Sequence, residues 1–183
     1  MKKYLLPALK LSLVLLVICS LLYPLLIAAV GRFAPDPTVS AHGRVVGYVN
    51  LGQRFTDDKY FWSRPSAAAY NAAAGSGSNK GPSNPDYLKD VQAHIDTFLV
   101  HNPGVRREDI PAELVTYSGS GLDPDLSPQA AMIQVSRVAR ARGLSDERVR
   151  ELVSSHVQGP LLGLLGPSKV NVLKLNIALD DLK

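Results

Sequence analysis

The sequence has almost none of the residues that cross-link small exported domains or hold metal ions in them. Cys19 is the only cysteine among 183 residues, so no disulfide can form within the chain and packing must hold the fold. The four histidines, His42, His94, His101 and His156, lack metal-ligand spacing. His94 and His101 are seven residues apart on a predicted helix and so share a face. Without a third ligand, we expect satisfied or solvated histidines rather than a metal site.

Charged residues are also missing from one long stretch. No charged side chain occurs between Lys10 and Arg32, and the intervening sequence reads LSLVLLVICSLLYPLLIAAVG. A helix over Leu11 to Val30 would be about 30 Å long, which is the thickness of the hydrocarbon core of a bilayer. The composition therefore predicts a transmembrane helix over residues 11–31, with the lipid bilayer as one partner of the chain.

Two other kinds of N-terminal segment compete with a retained anchor. A signal peptide has an apolar region of about 7 to 15 residues, whereas this one continues through Ala29. Cleavage after Gly31, with Ala29 and Gly31 as the small residues, stays open as an alternative. A lipoprotein signal would place the lipid on Cys19, but the branched Ile18 stands where a small residue is wanted. The lipoprotein interpretation is set aside.

The distribution of basic residues predicts the orientation of the helix. Lys2, Lys3 and Lys10 precede it, whereas Arg32 follows it with an acidic residue close behind. The positive-inside rule then puts residues 1–10 in the cytoplasm and everything from Arg32 onward outside it. Without those three lysines the chain has 17 basic and 16 acidic residues. Because these opposite charges nearly cancel, the composition does not indicate binding of nucleic acid.

The exported part shows mixed signals for helix and strand. Residues 32–43 contain two prolines and read as a linker, and a domain is expected over 44–183. A β-prone run over 43–55 predicts one or two short strands. Further strands are predicted over 112–117 and at the start of 168–182, where the strand should run into a last helical turn. The fold class is therefore α+β, with a single N-terminal transmembrane helix and one mixed extracytoplasmic domain without a strict βαβ rhythm.

Three helices are predicted from capping residues and apolar spacing. Asn84 before Pro85 starts the first, which stops at NPG, residues 102–104. Ser127 before Pro128 starts the second, which runs to Arg142 and is stopped by Gly143 in the left-handed conformation. Ser145 caps the third, with acidic residues in its first turn, and GP at 159–160 ends it.

Motifs that would carry chemistry are absent or fail on detail. GSGSNKG, residues 75–81, resembles a phosphate-binding loop, but Lys80 precedes the last glycine and Pro82 follows it, so a P-loop is excluded. Asp123 and Asp125 are only two carboxylates and do not have the spacing of a calcium loop. No serine stands in a nucleophile elbow. We predict no catalytic, cofactor-binding or metal-binding residue.

Two long stretches of small and turn-forming residues punctuate the domain: the first loop, residues 61–85, and the second loop, residues 117–128. Ordered loops of this length are usually functional surfaces. Arg64 suits a planar contact with carbonyls or a carboxylate of a partner, or a tie within its own domain. The candidate partner contacts are Phe61, Trp62, Ser63, Arg64, Pro65, Ser66, Ser78, Asn79, Pro82, Ser83, Asn84, Ser118, Ser120, Gly121 and Asp123.

Several blocks, read in order, carry a resemblance to one family. LGQRFTDDKYFWSRPSA, GSNKGPSNP, ELVTYSGSGLDPDLSPQAA, RVARARGLS and VNVLKLNIALD resemble the C subunit of the Kdp-type potassium-transporting P-type ATPase of bacteria. The likeness runs from about residue 45 to the C-terminus and includes Tyr23 and Pro24 in the single span. Lys80 departs from a usual apolar residue, and Tyr117 from a typical alanine.

The resemblance implies an accessory subunit of the inner membrane that is not itself catalytic. It implies three partners: a channel-like potassium-translocating subunit, an ATP-hydrolysing subunit and a small single-span subunit. It also implies ATP, Mg²⁺ and K⁺ as species used by the complex, and a chaperone-like effect on ATP affinity that gives the family its ATP-binding label. We expect the two loops to dock over the outer potassium entrance. The alternative is an anchored extracytoplasmic enzyme or ligand-binding module acting alone.

Overall fold

The computed structural model describes residues 2–182. The chain divides into two compact units, one up to Asp36 and one from Pro37 onward. The first unit is helical up to Gly31, with α1 over Lys2–Val17 and α2 over Tyr23–Gly31, joined by a π-helical turn over Ile18–Leu22. Together they are long and apolar enough to cross a membrane. The predicted helix over 11–31 is thus confirmed as a helix, and it begins earlier than expected.

The π-helical turn has a cause in the sequence. Pro24 lies in the first turn of α2 and has no backbone N–H, so it cannot bond to the carbonyl four residues earlier. The N–H of Tyr23 bonds to the carbonyl of Ile18, five residues back. Widening the helix by one residue before a proline lets the backbone pass it without a break.

The second unit has two small sheets and five helices among the residues described. β1 (Thr38–Ala41) and β2 (Arg44–Tyr48) pair antiparallel, and the turn between them contains His42 and Gly43, both with positive φ. The other sheet has the order β3-β5-β4, formed by Asp125–Leu126, Lys169–Asn171 and Val157–Gln158. The helices are α3 (Pro85–His101), α4 (Pro128–Met132), α5 (Val135–Arg142), α6 (Asp146–Ser155) and α7 (Val172–Asp181). The mixed α/β class is confirmed.

The predicted helix caps are present. The Asn84 side chain accepts hydrogen bonds from the first backbone N–H groups of α3, and Ser127 accepts from the Ala130 N–H of α4. Ser145 accepts from the N–H of Arg148 in α6. Gly143 ends α5 with φ +66°, in the left-handed region where a side chain would be strained. Local capping chemistry therefore predicted these helix ends.

Three expectations need correction. Residues 112–117 are not a strand, because Pro111 leads into a 3₁₀ turn over Ala112–Leu114. The helix expected over 128–142 is interrupted between α4 and α5, where Gln134 turns inward. Third, the C-terminal segment was expected to be a strand that runs into a last helical turn. The strand is only three residues long, and the ten-residue α7 follows it.

The segment 32–43 is also not a linker throughout. Residues 38–41 of it form β1, which pairs with β2, so ordered structure in the second unit starts before residue 44. The backbone bond from the Val49 N–H to the Pro37 carbonyl extends this pairing toward the first loop. The polar and apolar residues of Thr38–Ala41 alternate over too short a stretch to predict a strand from the sequence alone.

One core holds the second unit together. It lies between α4, α5, α6, α7 and β5, and Phe61 of the first loop and Phe98 of α3 close it from one side. Several of its side chains have no exposed surface: Phe61, Ala130, Ala131, Val138, Val149, Val153, Val170, Leu175 and Leu179. The first loop therefore begins inside the core, and this fixes where its exposed part can lie.

Candidate functional site

The two loops pack against each other and form one body. The N–H of Ser118 donates to the carbonyl of Pro65 at 3.0 Å, and the Ser66 hydroxyl donates to the carbonyl of Gly121 at 2.6 Å. The N–H of Gly52 donates to the carbonyl of Leu122 at 2.7 Å, which joins the preceding segment to the second loop. Residues far apart in the sequence are thus joined by two bonds between backbone groups and one from a side chain, without a sheet.

Glycines permit this close approach. A Cβ on Gly77 would lie 2.8 Å from the carbonyl oxygen of Gly119. Gly121 has φ +68°, and a Cβ there would lie 2.6 Å from the carbonyl oxygen of Ser76. Both distances are too short for real carbon–oxygen contacts, so the small residues are required where the loops cross. The glycine content therefore reflects packing of backbone on backbone.

Arg64 ties the loops together with its charge. Its Nη1 lies 2.8 Å from Oδ2 of Asp123, and the two side chains are 22% and 31% exposed. The other carboxylate oxygen of Asp123 accepts from the N–H of Asp125. The Tyr70 hydroxyl donates to the carbonyl of Arg64 at 2.6 Å. Of the two roles open for Arg64 in the sequence, the structure supports the tie within the domain.

Amide side chains fix the beginning of the first loop. Asn176 of α7 accepts from the N–H of Phe61 at 2.8 Å and donates to its carbonyl at 3.0 Å. Gln134 does the same for Trp62, at 2.8 and 3.3 Å. Each amide takes both backbone groups of one residue, as a neighbouring strand would. Because Gln134 and Asn176 are buried, these bonds are shielded from competition with water.

Arg137 of α5 holds the segment just before the loop. Its guanidinium donates to the carbonyls of Asp58 at 2.8 Å and Tyr60 at 3.0 Å, and it lies 4.5 Å from the centre of the Trp62 ring. Burial lowers the pKa of Arg137 to about 10, and the attraction of Asp58 and Asp57 only partly offsets this. The group is still charged at neutral pH, so cation–π attraction to Trp62 persists there.

Not all of the candidate contact residues are at the surface. Phe61, Ser63, Ser118 and Gly121 are buried within the domain. Seven are partly exposed: Trp62, Arg64, Pro65, Ser66, Ser78, Asn84 and Asp123. Four are exposed, and we call them the docking surface: Asn79, Pro82, Ser83 and Ser120. Contact with a partner stays a prediction for these residues.

Lys80 of the first loop and Tyr117 of the second, the two departures noted in the sequence, lie close together next to α3. Lys80 pairs with Asp90 of α3 at 3.1 Å, and this contact raises the pKa of Lys80. Tyr117 stacks on Tyr87 at 6.0 Å between ring centres, and burial raises the pKa of its hydroxyl. Both departures therefore make contacts with α3, which begins where the first loop ends.

A groove of about 440 Å³ lies between α3 and the first loop. His94 and His101 both line it, which agrees with their predicted common face. Nδ1 of His94 lies 2.9 Å from the carbonyl of Val115, and Nδ1 of His101 lies 2.7 Å from a carboxylate oxygen of Asp58. Both histidines are satisfied by the fold, and the residues described contain no group of three metal-ligating side chains.

The acidic residues of the second loop are also paired. Asp125 accepts from the Lys169 ammonium at 2.7 Å and from the Asn171 amide at 3.3 Å. Asn171 also donates to the carbonyl of Val49 and caps α7. These contacts give Asp125 a turn and pairing role.

Comparison with known proteins shows which family the chain is similar to. Residues 5–181 match the model of a family described as K⁺-transporting ATPase, c chain. The chain is 53% identical over 188 residues to the potassium-transporting ATPase KdpC subunit of Bacteroides fragilis, covering 99% of this chain and 98% of that protein. The subunit of the same name from Flavobacterium psychrophilum is 51% identical, covering 96% of each.

A more distant relative also matches along most of its length. The potassium-transporting ATPase KdpC subunit of Caldanaerobacter subterraneus is 43% identical over 175 residues, covering 93% of this chain and 91% of that protein. The similarity includes the N-terminal helix and both loops, because the family match begins at residue 5 and ends two residues before the last. The chain belongs to the family of the K⁺-transporting ATPase c chain.

Proposed function

We propose that this chain is an accessory subunit of a bacterial ATP-driven potassium uptake complex. Its relatives are named as subunits of a potassium-transporting ATPase, and they match it along nearly their full length. Its partners are a channel-like potassium-translocating subunit, the ATP-hydrolysing subunit and a small single-span subunit. ATP, Mg²⁺ and K⁺ are handled by those partners, and this chain is not an enzyme by itself.

The single observation that carries a docking role is the joining of the two loops into one ordered body. Docking with a loop that is already fixed costs less conformational entropy than ordering a mobile one. The docking surface presents three small polar side chains, one proline and backbone groups rather than an apolar patch. We infer that it lies against the outer entrance of the potassium-translocating subunit, with the domain outside the cytoplasm.

The effect on ATP affinity is then indirect. With the proposed orientation only about residues 1–10 face the cytoplasm, where ATP is available, so the second unit cannot touch the nucleotide. The subunit would favour one conformational state of the complex, and the affinity for ATP would change through that shared equilibrium. A photoreactive ATP analogue added to oriented, sealed membranes should therefore label the ATP-hydrolysing subunit. Labelling of the second unit of this chain would disprove the indirect route.

A matched pair of substitutions tests docking. Ser83 belongs to the docking surface, and no hydrogen bond of its side chain is found in the described part of the chain. Ser83→Arg should place a large cation in the interface, and so reduce both co-purification with the other subunits and growth on limiting potassium. Ser154→Arg, on the exposed side of α6, is the control and should leave both unchanged. Wild-type behaviour of both variants would contradict the proposed surface.

Orientation has its own test. In a Cys19→Ala background, Ser154→Cys provides one exposed thiol on the second unit. A membrane-impermeant maleimide should label it in intact spheroplasts. Labelling only in inverted vesicles would place the domain in the cytoplasm and refute the outer position. If instead the chain purified without partners and bound a ligand in the groove beside α3, the alternative of a self-sufficient binding module would replace the accessory role.

A further inference from the structure

Four large apolar residues of the second unit lie exposed together at one hairpin, and two of them, Leu162 and Leu164, are its most exposed. Leu161 and Leu165 pair across it: the N–H of Leu161 donates to the carbonyl of Leu165 at 2.8 Å, and the reverse bond is 2.9 Å. Leu161, Leu162, Leu164 and Leu165 are 68%, 84%, 86% and 61% exposed. We call residues 161–165 the leucine tip. A domain of this size seldom presents four large apolar side chains together to water.

Stability of the turn does not explain these leucines. Leu162 has φ +55° and Gly163 has φ +74°, so both occupy the left-handed region. At such a turn position glycine or asparagine is favoured, and a leucine side chain is strained there. A polar residue at 162 would suit both the backbone and the water around it. The sequence places leucine against both preferences, which points to a contact outside this domain.

The composition around the leucine tip favours an apolar, non-directional partner. No charged residue occurs from Val157 to Ser168. A specific protein interface usually buries about 800 Å² on each partner and includes polar groups that fix its geometry. Five residues at the end of a narrow hairpin are too few for that. Insertion into lipid requires neither a buried area of that size nor polar groups that fix a geometry.

The backbone of the leucine tip is also suited to a poorly hydrated environment. The N–H groups of Leu161, Gly163, Leu164 and Leu165 all donate to carbonyls within residues 160–165. Backbone groups without a partner are costly in an apolar medium. The turn can therefore enter the region of the headgroups and upper acyl chains without leaving these donors unsatisfied.

The chain keeps the second unit close to any bilayer that holds the N-terminal helix. From Gly31, the last residue of α2, to Pro37, the first of the second unit, the backbone spans at most about 20 Å. A domain of this length has a radius of gyration of about 15 Å. The tether therefore holds the second unit within reach of the membrane. Tethering also raises the effective concentration of lipid at the leucine tip, so a small apolar surface suffices.

We propose that the leucine tip inserts into the interface of the same bilayer that holds the N-terminal helix, and that the second unit is thereby anchored to the membrane at a second point. The occupant is the acyl and headgroup boundary of the lipid, and no anionic headgroup is required because the leucine tip has no cation. This anchoring depends on the helix crossing the bilayer. It does not depend on which side the domain faces or on the docking surface.

Lipid contact can be measured in the full chain. Four single-cysteine proteins are labelled with an environment-sensitive fluorophore and reconstituted in phosphatidylcholine vesicles, with or without brominated acyl chains that quench by contact. They are the wild type, labelled at Cys19 in the helix, and Leu162→Cys, Leu164→Cys and Ser154→Cys in a Cys19→Ala background. We expect strong quenching at Cys19, weaker but clear quenching with a blue shift at both positions of the leucine tip, and neither at Ser154→Cys.

A second variant separates insertion from loss of folding. Adding Leu164→Asp to the protein labelled through Leu162→Cys should abolish the quenching, while the circular dichroism and Trp62 emission stay those of the folded chain. Labels at 162 and 164 that behave like the label at Ser154→Cys would overturn the proposal, and so would an unquenched Cys19. Protection that arises only in the assembled complex, without quenching by brominated lipid, would also overturn it and assign the leucine tip to a protein partner.

Discussion

The tie between Arg64 and Asp123 gives a stability effect that can be worked out from its geometry. Charge-assisted hydrogen bonds contribute about 1.5 to 3 kcal/mol when shielded from water. Ion pairs at the surface contribute about 0.2 to 1 kcal/mol. This pair has one contact of 2.8 Å and side chains that are 22% and 31% exposed, so it falls between these cases. We expect a coupling free energy of about 1 to 2 kcal/mol.

A double-mutant cycle isolates that coupling. Arg64→Met keeps the apolar stem without the charge, and Asp123→Asn keeps the oxygen that accepts from the N–H of Asp125. Each single change should lower the free energy of unfolding by about 1 to 2 kcal/mol, and the double variant should be little worse than either. Urea unfolding of the full chain in detergent, followed by the emission of Trp62, measures all four proteins. Trp62 is the only tryptophan, so its signal reports this region.

Additivity would refute the reasoning. If the losses of the two single variants add up to the loss of the double variant within about 0.5 kcal/mol, the ion pair does not join the loops.

The same proteins distinguish the tie from a partner contact. A tie predicts that both single variants lose the complex to the same degree, in proportion to their instability. A much larger loss of co-purification for Arg64→Met than for Asp123→Asn would show that Arg64 also touches a partner.

Three further results are expected from the same contacts. Gly77→Ala should destabilise the domain by about 1 to 3 kcal/mol, because the new Cβ meets a carbonyl oxygen at 2.8 Å, whereas Gly104→Ala, with open space, should not. Arg137→Met should cost about 3 to 5 kcal/mol, because it leaves buried acceptors unpaired, and the exposed Arg140→Met on the same helix less than about 0.5 kcal/mol, both by urea unfolding. Burial raises the pKa of Tyr70 above 10.0, so the neutral form is favoured by folding and stability should fall as pH rises beyond that value. The free energy of unfolding of Tyr70→Phe should show a smaller alkaline decline, because Tyr117 still has a raised pKa in that variant, and a decline identical to that of the wild type would contradict the assignment.

Features that depend on neighbouring residues could be predicted from the sequence. The helix starts at Asn84, Ser127 and Ser145 follow from capping chemistry, and the stop at Gly143 follows from its freedom to adopt positive φ. The apolar N-terminal helix needed only its length and lack of charge. These features are local, so one stretch of sequence contains the information that determines them.

The contacts that build the candidate site are long-range, and periodicity does not encode them. Gln134 and Asn176 are polar residues in otherwise apolar helical patterns, and that was the one available signal that they are buried with partners. Which backbone groups they bind depends on how the first loop crosses the helices. Residues 112–117 were predicted as a strand for a related reason, since a short apolar run is ambiguous until its neighbours are known.

The same amide contacts explain how a domain with so little sheet keeps a long irregular segment ordered. The three-stranded sheet has strands of only two or three residues, so it cannot pair the backbone of residues 57–63. Side chains from α5, α7 and the break before α5 supply those bonds instead, and glycines then let the loop lie on its neighbour. Small residues are needed where the loops meet, which leaves small polar groups at their exposed ends. A partner would therefore meet a fixed backbone surface whose shape depends on buried amides and not on the residues it touches.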